Sequence, residues 1–325
     1  MAYISETLAG ARILITGGAG FIGSNLALYF QQHHPKARVI ALDRFREHTP
    51  PSTSLGHFKN LIGFRGEVLG ADITCDLDRI AKLDFDYLFH QAAISDTTNT
   101  NQTLVLRTNY QAFLDLLEIA QSKGARVIYA SSAGVYGNTP APNVVGQGEV
   151  PENVYGFSKL CMDKHVLGRS CRAIAPIVGL RYFNVYGPGE FYKHKSASMI
   201  LQLGLQALKH QEVKLFEFGE QQRDFVYIED VIQANVKAMC ASASGVYNVG
   251  YGGSHSYNEI VRLLQQELGD FKVRYIKNPY AFFQEHTCAD ISPAQQALDY
   301  QPMYDLQKGI EAYVPTIRAL AQCPC

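Results

Sequence analysis

The sequence lacks the features that mark several common classes of protein. None of its apolar runs is long enough to span a bilayer, and the segment from Met1 to Ala11 has neither the basic start nor the apolar core of a secretory signal. The 29 basic and 30 acidic residues leave a formal net charge of -1, so bulk electrostatics favour neither nucleic acid nor an anionic membrane as a partner. These absences predict a cytoplasmic protein.

Cysteine is present without a recognisable pattern. The seven cysteines include no C-x-x-C pair and no Cys/His spacing typical of a zinc site, and only Cys323 and Cys325 lie close together in the sequence. Free thiols in a reducing compartment are the simplest interpretation, and the odd number of cysteines agrees with it. The sequence therefore predicts neither a disulfide framework nor a bound metal.

Strand and helix patterns alternate through the first half of the chain. Short apolar segments predict the strands, and helical spacing of apolar residues predicts the helices between them. The predicted strands are 12–15, 38–42, 84–90, 126–130 and 175–180. Such alternation is typical of an α/β fold with a doubly wound parallel (Rossmann) sheet and right-handed crossovers.

Beyond Arg181 the pattern changes to shorter elements. Residues 182–188 are aromatic and end in Gly-Pro, which predicts a loop, and an amphipathic helix, two short strands and further helices follow. We predict a dinucleotide-binding domain over residues 1–181. A smaller mixed α/β part over 182–325 is predicted to bind the substrate and to close over the carboxyl ends of the parallel strands. This boundary is approximate, because segments of the second part can rejoin the first sheet.

A glycine-rich turn follows the first predicted strand and opens the first predicted helix. In this turn Gly17 permits a sharp reversal, Gly20 lets the backbone approach a pyrophosphate, and Gly23 lets the helix pack closely on the strand. The spacing G-x-x-G-x-x-G also fits a plain connection in an α/β protein. Asp43, which follows the second predicted strand, favours a dinucleotide site, because an acidic residue at this place accepts a hydrogen bond from the cofactor's ribose.

A Tyr-x-x-x-Lys pattern lies on the helix predicted after Pro151. Residues four apart share one face of a helix, so Tyr155 and Lys159 point the same way. The lysine ammonium, together with the positive charge of an oxidised nicotinamide, is expected to lower the pKa of the phenol from about 10 towards neutral pH. Taken alone, the pattern also fits an exposed tyrosine and lysine. Ser132 follows a predicted strand at the ligand-binding edge, and the combination favours an active site that oxidises a substrate hydroxyl.

These motifs together resemble the extended short-chain dehydrogenase/reductase family of nucleotide-sugar enzymes. The motifs that stand in the family's order, over nearly the whole chain, are T-G-G-A-G-F-I-G, S-S-A-G-V-Y-G, Y-G-F-S-K, R-Y-F-N-V-Y-G-P and R-D-F-V-Y-I-E-D-V. The resemblance implies catalytic roles for Ser132, Tyr155 and Lys159. The residues that it implies for the cofactor are Gly17, Gly20, Phe21, Ile22, Gly23, Asp43, Arg44, Asp72, Ile73, Gln91, Ala92, Ala93, Ser95, Asn109, Tyr155, Lys159 and Val185. The residues that it implies for the substrate are Ser132, Asn184, Lys193, Phe216, Arg223 and Phe283.

The resemblance also implies a place for several of these side chains. Asp72 and Ile73 are expected at the adenine of the cofactor. The segment 91–95 is expected along its nicotinamide end, with Asn109 below it. Arg223 is expected to pair with the diphosphate of the substrate, because its planar guanidinium is permanently charged. The alternative for this arginine is a solvated charge beside Asp224.

Within the family the chain is most similar to epimerases of ADP-linked heptoses. The segments that carry this similarity are 95–98, 190–198 and 214–217. The similarity implies that Lys193 is a second catalytic base, with Lys195 as the alternative, although a loop lysine that binds phosphate also fits. The chain departs from that group at Gly189, where an arginine is common, and at His194 and Lys195, which interrupt a run of small residues.

The resemblance implies an epimerase that oxidises a nucleotide sugar transiently and reduces it again with a tightly bound nicotinamide cofactor. Arg44 and Arg46 can neutralise a 2′-phosphate, so we predict NADP, with NAD as the alternative because Asp43 alone favours it. A 4,6-dehydratase is excluded, since Ala133 and Gly134 stand where that activity needs an acid and a base. The remaining alternatives are a 4-epimerase of a nucleotide hexose and a non-catalytic dinucleotide-binding protein. Members of the family generally associate, which predicts a homo-oligomer.

Overall fold

The computed structural model describes residues 2–5, 7–45, 56–277 and 286–322, which form twelve strands and ten α-helices. The strands are β1 (Arg12–Thr16), β2 (Arg38–Asp43), β3 (Glu67–Gly70), β4 (Tyr87–His90), β5 (Arg126–Ser132), β6 (Ile177–Tyr182), β7 (Asn184–Tyr186), β8 (Glu212–Phe216), β9 (Gln222–Tyr227), β10 (Gly245–Val249), β11 (Ser254–Ser256) and β12 (Lys272–Ile276). The helices are α1 (Phe21–His33), α2 (Leu77–Ala81), α3 (Gln102–Leu106), α4 (Ala112–Ser122), α5 (Val154–Arg169), α6 (Met199–His210), α7 (Ile228–Ala238), α8 (Tyr257–Leu268), α9 (Ser292–Leu298) and α10 (Leu306–Gln322). Short 3₁₀ turns lie at Phe58–Leu61, Ala133–Tyr136, Ser170–Arg172, Phe191–Ser196 and Glu217–Gly219.

Seven parallel strands form the central sheet in the order β10-β6-β5-β4-β1-β2-β3. The chain moves outward from β1 in one direction and from β4 in the other, so the topological switch point lies between these two strands. The apolar side chains Ile13, Leu14 and Ile15 of β1 are fully buried on both faces of the sheet, which explains their continuous apolar run. The prediction of a doubly wound Rossmann sheet is confirmed.

Two apolar cores cover the two faces of this sheet. One joins side chains of α1 and α7 to those of α6, α8 and α10, and the other joins side chains of α2, α4 and α5. Helices α1 and α5 therefore lie in opposite layers, and both begin near the carboxyl edge of the strands. In the part of the chain that the structure describes, no helix is both long and apolar enough to cross a membrane.

Residues after 182 build a smaller mixed part around two short sheets. Strand β9 pairs with β7 in parallel and with β11 in antiparallel register, and β8 pairs with β12 in parallel. Strand β10 returns to the central sheet beside β6, so the second half of the chain supplies one strand of the main sheet as well as its own two sheets.

Two local structures differ from the sequence predictions. The segment 182–188, predicted as a loop, contains strand β7, because Asn184 to Tyr186 pair with β9 from far along the chain. The helix predicted over 104–123 is interrupted by a π-turn at Arg107–Gln111 between α3 and α4. Asn109 lies within this turn and is fully buried, and such turns are frequent at functional sites.

Candidate active site

A cavity of about 270 Å³ opens at the carboxyl ends of the central strands. Ligands of doubly wound sheets bind at this edge. The predicted site residues that line the cavity are Gly17, Gly20, Phe21, Ile22, Gly23, Asp43, Arg44, Asp72, Ile73, Gln91, Ala92, Ala93, Ser95, Ser132, Tyr155, Lys159, Val185 and Lys193. Further lining residues are Leu42, Ala71, Ile94, Thr108, Ala130, Ser131, Tyr182 and Phe183. All four predicted catalytic residues and the glycine turn therefore face one space.

At two positions of the glycine turn, any side chain would clash with neighbouring backbone atoms. Gly17 adopts φ +70°, and a Cβ on it would lie 2.7 Å from the backbone nitrogen of Ala92. A Cβ on Gly23 would overlap the carbonyl oxygen of Gly17. Helix α1 begins after Gly20 with no side-chain cap and no acidic residue in its first turn, so its first N–H groups are open to an anion. This cradle fits the pyrophosphate of a dinucleotide.

The acidic residue at the end of β2 also holds the glycine turn in place. The Oδ2 atom of Asp43 accepts a hydrogen bond from the backbone N–H of Ala19 at 3.0 Å, and Oδ1 accepts one from Phe45 N–H at 2.8 Å. The next side chain, Arg44, is half-exposed and forms an ion pair with Asp72, with 3.1 Å between Nη1 and Oδ2. Burial alone would raise the pKa of Asp72, but hydrogen bonds from Thr74 and Arg44 outweigh burial and hold this pKa below its ordinary value.

The predicted Ser-Tyr-Lys group is assembled where β5 meets α5. Helix α5 begins after Asn153, whose side chain accepts a hydrogen bond from Gly156 N–H at 2.9 Å and caps the helix. The Lys159 ammonium is buried, donates to the carbonyl oxygen of Ala130 at 2.7 Å and lies 5.9 Å from the ring centroid of Tyr155. Tyr155 and Ser132 both line the cavity. The phenol and the serine hydroxyl thus face the same space.

The expected lowering of the pKa of Tyr155 included the charge of a bound oxidised nicotinamide and stays a prediction, because the protein's own groups do not lower this pKa. Burial raises the pKa of Tyr155, and the hydrogen bond with Ser132 offsets only part of this increase. Burial also lowers the pKa of Lys159 to about 8, against the opposing charge of Asp163. The physical reason is that the lysine points its ammonium at Ala130 and loses water there, so its charge is itself destabilised.

The loop after β7 places its two lysines in different surroundings. Lys193 lines the cavity, and its Nζ atom lies 5.4 Å from the ring centroid of Phe21 at the start of α1. Lys195 is exposed, and its Nζ atom forms an ion pair with Asp96 at 3.1 Å. Burial lowers the pKa of Lys193, and the charge of Glu190 opposes that shift. Of the two predicted candidates for a second base, only Lys193 faces the cavity.

A buried ionic cluster behind Lys159 was not predicted from the sequence. Asp163 accepts hydrogen bonds from the hydroxyls of Tyr129 and Ser131, each at 2.8 Å, and from Nε of Arg181 at 2.7 Å. Both charged side chains are fully buried. A signal for Asp163 was present in the sequence, since it stands four residues after Lys159 on the same helical face. No local pattern indicated its partner Arg181, because this arginine lies on β6 and not on the same helix.

Of the predicted site residues that the structure describes, four do not line the cavity: Asn109, Asn184, Phe216 and Arg223. Asn109 forms a clamp on the chain, and its predicted position below the cofactor stays a prediction. Its Oδ1 accepts from Ile94 N–H at 2.8 Å, and its Nδ2 donates to Ile94 O at 3.0 Å and to Ser158 Oγ at 3.1 Å. Asn109 thereby fixes the segment after β4 that forms one wall of the cavity.

The three predicted substrate residues outside the cavity lie in the smaller part. Asn184 donates to the carbonyl oxygen of Asp224 at 3.3 Å, and Phe216 ends β8. Arg223 is buried, with its guanidinium carbon 5.9 Å from the ring centroid of Tyr257, so the alternative of a solvated charge is wrong. Phe283 and Arg46 lie outside the described residues.

Comparison with known proteins defines the class of this one. Residues 13–250 match the NAD dependent epimerase/dehydratase family. Because the match covers more than half of the chain, the chain belongs to this family, and the resemblance carried by the motifs is confirmed. A nicotinamide dinucleotide is accordingly the class of cofactor that this family of enzymes uses.

Individual relatives give a finer similarity. The chain is 32% identical to the ADP-L-glycero-D-manno-heptose-6-epimerase of Brachyspira hyodysenteriae, over 94% of this chain and 97% of that one. The crystal structure of the Helicobacter pylori ADP-L-glycero-D-manno-heptose-6-epimerase is 67% identical, with a TM-score of 0.93 over 98% of this chain and 100% of that one. The Bacillus cereus UDP-glucuronic acid 4-epimerase, solved with UDP-glucuronic acid and NAD, is 29% identical, with a TM-score of 0.82 over 95% and 99% of the two chains.

Proposed function

We propose that this protein inverts C6″ of an ADP-linked manno-heptose by transient oxidation and re-reduction with a retained nicotinamide cofactor. Such a reaction supplies heptose precursors of the lipopolysaccharide type. The observation that carries the proposal is the placement of two proton-transfer groups around one cavity: Tyr155 comes from α5, and Lys193 lies against Phe21 of α1 in the opposite helix layer. The 67% identity to the Helicobacter pylori enzyme supports the choice of substrate.

The chemistry divides between the cofactor and the side chains of the chain. A bound, oxidised nicotinamide supplies the hydride acceptor and a positive charge that favours the ionised phenol. Ser132 holds the substrate hydroxyl by a hydrogen bond, and Tyr155 takes its proton. Lys159, fixed to Ala130 O, keeps the phenol in position. Lys193 then gives a proton to the ketone oxygen as the same hydride returns to the opposite face of C6″, so the net redox change is zero.

Turnover of defined nucleotide sugars tests this function. We expect the purified protein to convert ADP-D-glycero-D-manno-heptose to its C6″ epimer, followed by proton NMR. In D₂O no deuterium should enter C6″, because the hydride that leaves the sugar is the one that returns. UDP-glucose and UDP-galactose should stay unchanged. Faster conversion of the hexoses would favour the 4-epimerase, and nucleotide binding without any turnover would favour the non-catalytic protein.

NADP is the proposed cofactor, tightly bound, with NAD as the alternative. Each carboxylate oxygen of Asp43 already accepts a backbone N–H, so this side chain is engaged in shaping the glycine turn. Arg44 is half-exposed at the cavity, where a guanidinium suits a 2′-phosphate. The cytoplasmic location and the homo-oligomeric state expected from the sequence stay predictions.

The Arg44→Ala variant is expected to weaken NADP binding by about 10- to 100-fold, because a charge-assisted hydrogen bond is lost. NAD binding should change little. The resident nucleotide is first identified by denaturing a sample of the purified protein. Both nucleotides are then titrated calorimetrically into protein freed of its resident nucleotide. Arg38→Ala, at the opposite end of β2, is the matched control. Tighter binding of NAD than of NADP by the unchanged protein would overturn the choice of cofactor.

A further inference from the structure

The loop from Gly187 to Ser198, here called the lysine loop, closes on itself at its two ends. The buried carboxylate of Glu190 accepts hydrogen bonds from Gly187 N–H at 3.2 Å and from Ser198 Oγ at 2.7 Å. Both bonds lie within the loop, so they do not fix its middle against the cavity. The direction of Lys193 therefore depends on contacts of the middle of the loop with other elements.

The middle of the lysine loop contacts the segment after the glycine turn through two stacked rings. The ring centroids of Tyr192 and His57 lie 3.8 Å apart, and the ring planes differ by 3°. Stacked ring pairs contribute free energy beyond the burial of apolar area. Tyr192 directly precedes Lys193 in the sequence, so the stack holds the backbone next to the lysine.

The histidine of this stack is itself fixed to the cofactor cradle. The backbone N–H of His57 donates to Ala19 O at 3.0 Å, and Asn60 Nδ2 donates to the same oxygen at 3.1 Å. The N–H of Ala19 donates in turn to Asp43 Oδ2 at 3.0 Å. His57 therefore presents its ring from a backbone position that the glycine turn determines.

The geometry of the turn relates the position of Tyr192 to the direction of Lys193. The backbone N–H of Lys193 donates to Glu190 O at 2.9 Å, which forms a 3₁₀ turn. Successive side chains of such a turn project about 120° apart, because it has about three residues per turn. With the Tyr192 ring against His57, Lys193 projects to another side of the turn, where its Nζ atom lies 5.4 Å from the ring centroid of Phe21.

Other contacts of the lysine loop act elsewhere. Lys195 Nζ lies 3.1 Å from Asp96 Oδ2 and 3.3 Å from Thr98 Oγ1, but an exposed ion pair contributes little. Asn25 Nδ2 donates to Pro188 O at 2.9 Å, which fixes the start of the loop. The ring stack is the contact that acts on the residue before the cavity-facing lysine.

We propose that Tyr192 and His57 are positioning residues whose ring stack directs Lys193 into the cavity. Neither ring lines the cavity, so both act through the lysine and not on the substrate. The inference rests on the proposed function in one respect, since it matters for turnover only if Lys193 exchanges a proton with the sugar. A reacting group displaced by about 1 Å loses about 100-fold in rate, so loss of the stack should appear in kcat.

Hydrogen exchange followed by mass spectrometry tests the contact without turnover, in protein that keeps its resident nucleotide. In His57→Leu the peptide that covers the middle of the lysine loop is expected to exchange about 3- to 10-fold faster, because the stack no longer holds the turn. The sequence of that peptide is unchanged, since His57 lies far from it in the chain. His57→Phe keeps a ring and should restore most of the protection. His165→Leu, which removes a histidine ring from its contact with Tyr110, is the matched control.

The kinetics of epimerisation separate positioning from a general loss of structure. Tyr192→Leu is expected to lower kcat by about 10- to 100-fold and to change KM by less than about threefold, because the substrate contacts stay. Tyr192→Phe should stay within about threefold of the unchanged protein, since the ring and not the hydroxyl forms the stack. The double variant, with leucine at both positions, should lose no more rate than Tyr192→Leu, because the two side chains act as one unit.

Unchanged exchange of the lysine loop in a folded His57→Leu protein overturns the proposal. Equal losses of kcat in Tyr192→Leu and Tyr192→Phe also overturn it, because the hydroxyl would then be the active part. Losses that multiply in the double variant show independent roles and overturn it as well. Both rings are partly exposed, so the variants are expected to fold. If Tyr192→Leu does not fold, His57→Leu carries both measurements.

The exchange measurement does not depend on turnover, so the two hypotheses fail separately. If the unchanged protein does not epimerise ADP-heptose, the proposed function is wrong, and the exchange of the loop in His57→Leu still decides the role of the stack. If the protein epimerises ADP-heptose and the exchange of the loop does not depend on His57, only the inference about the stack is wrong.

Discussion

Replacing Lys193 by methionine is expected to lower the rate of epimerisation by about 10²- to 10⁴-fold while the nucleotide stays bound, because a general acid or base contributes a factor of this size. Tyr155→Phe should have an effect of the same order. The measurement combines kcat for ADP-heptose, obtained by NMR, with the nucleotide content of each purified variant. Methionine keeps the length of the lysine side chain and its contact with Phe21, so the loss is chemical.

Inversion at C6″ favours two proton-transfer groups. The hydride stays on one face of the nicotinamide, so the ketone must present its two faces in turn. The proton that leaves one alcohol and the proton that enters the other then come from different directions. Proton transfer needs heavy atoms about 2.6–3.2 Å apart, and one side chain does not easily meet that distance in both orientations. Tyr155 on α5 and Lys193, beside Phe21 of α1, line one cavity between opposite helix layers.

A second lysine of the same loop provides the control for this prediction. Lys195 is exposed and paired with Asp96, and Lys195→Met should lower the rate by less than about threefold, because an exposed ion pair contributes little. A near-normal rate in Lys193→Met would contradict the two-group mechanism. If Lys195→Met then lost most of its rate of epimerisation, Lys195 would be the second base. The loop would have to rearrange to bring this side chain to the cavity.

Local sequence patterns were sufficient to predict which residues in the first half of the chain line the cavity. The glycine turn, the residues at the ends of β2 and β5, and the pair Tyr155 and Lys159 depend on spacings of a few residues and on the rule that ligands bind at the carboxyl edge. The choice between the two loop lysines was not predictable, because it depends on tertiary contacts such as that of the Lys193 ammonium with the ring of Phe21. Those contacts exist only once the loop has folded onto α1.

Long-range polar contacts were the other part that the sequence did not reveal. The amide of Asn109, which was expected below the cofactor, lies in a π-turn and forms a clamp on Ile94 and Ser158. Asp43 was expected to bind the ribose, and its contact with Ala19 of the glycine turn was not predicted. In each case the side chain satisfies a backbone group that is remote in sequence, and such partners become visible only when the strands and helices are packed.

The buried cluster around Asp163 leads to the largest expected effect on stability. Asp163→Ala should lower the free energy of unfolding by about 3–5 kcal/mol, because it removes the fully buried one of the two carboxylates that pair with the buried Arg181. It also removes the acceptor of the Tyr129 and Ser131 hydroxyls. The measurement is urea unfolding with saturating nucleotide in every sample, since a bound cofactor adds its own stabilisation.

Two comparisons show whether charge burial is the cause of that loss. Asp86→Ala breaks an exposed pair with Arg12 and should cost at most about 1 kcal/mol. Joint replacement of Asp163 by leucine and Arg181 by methionine should restore part of the stability that Asp163→Ala loses, because the buried arginine is removed together with this carboxylate. If Asp163→Ala costs no more than Asp86→Ala, the arginine is stabilised enough by Glu149, 2.7 Å from its Nη2 atom. The carboxylate of Asp163 would then matter mainly for the charge of Lys159, which it faces on α5.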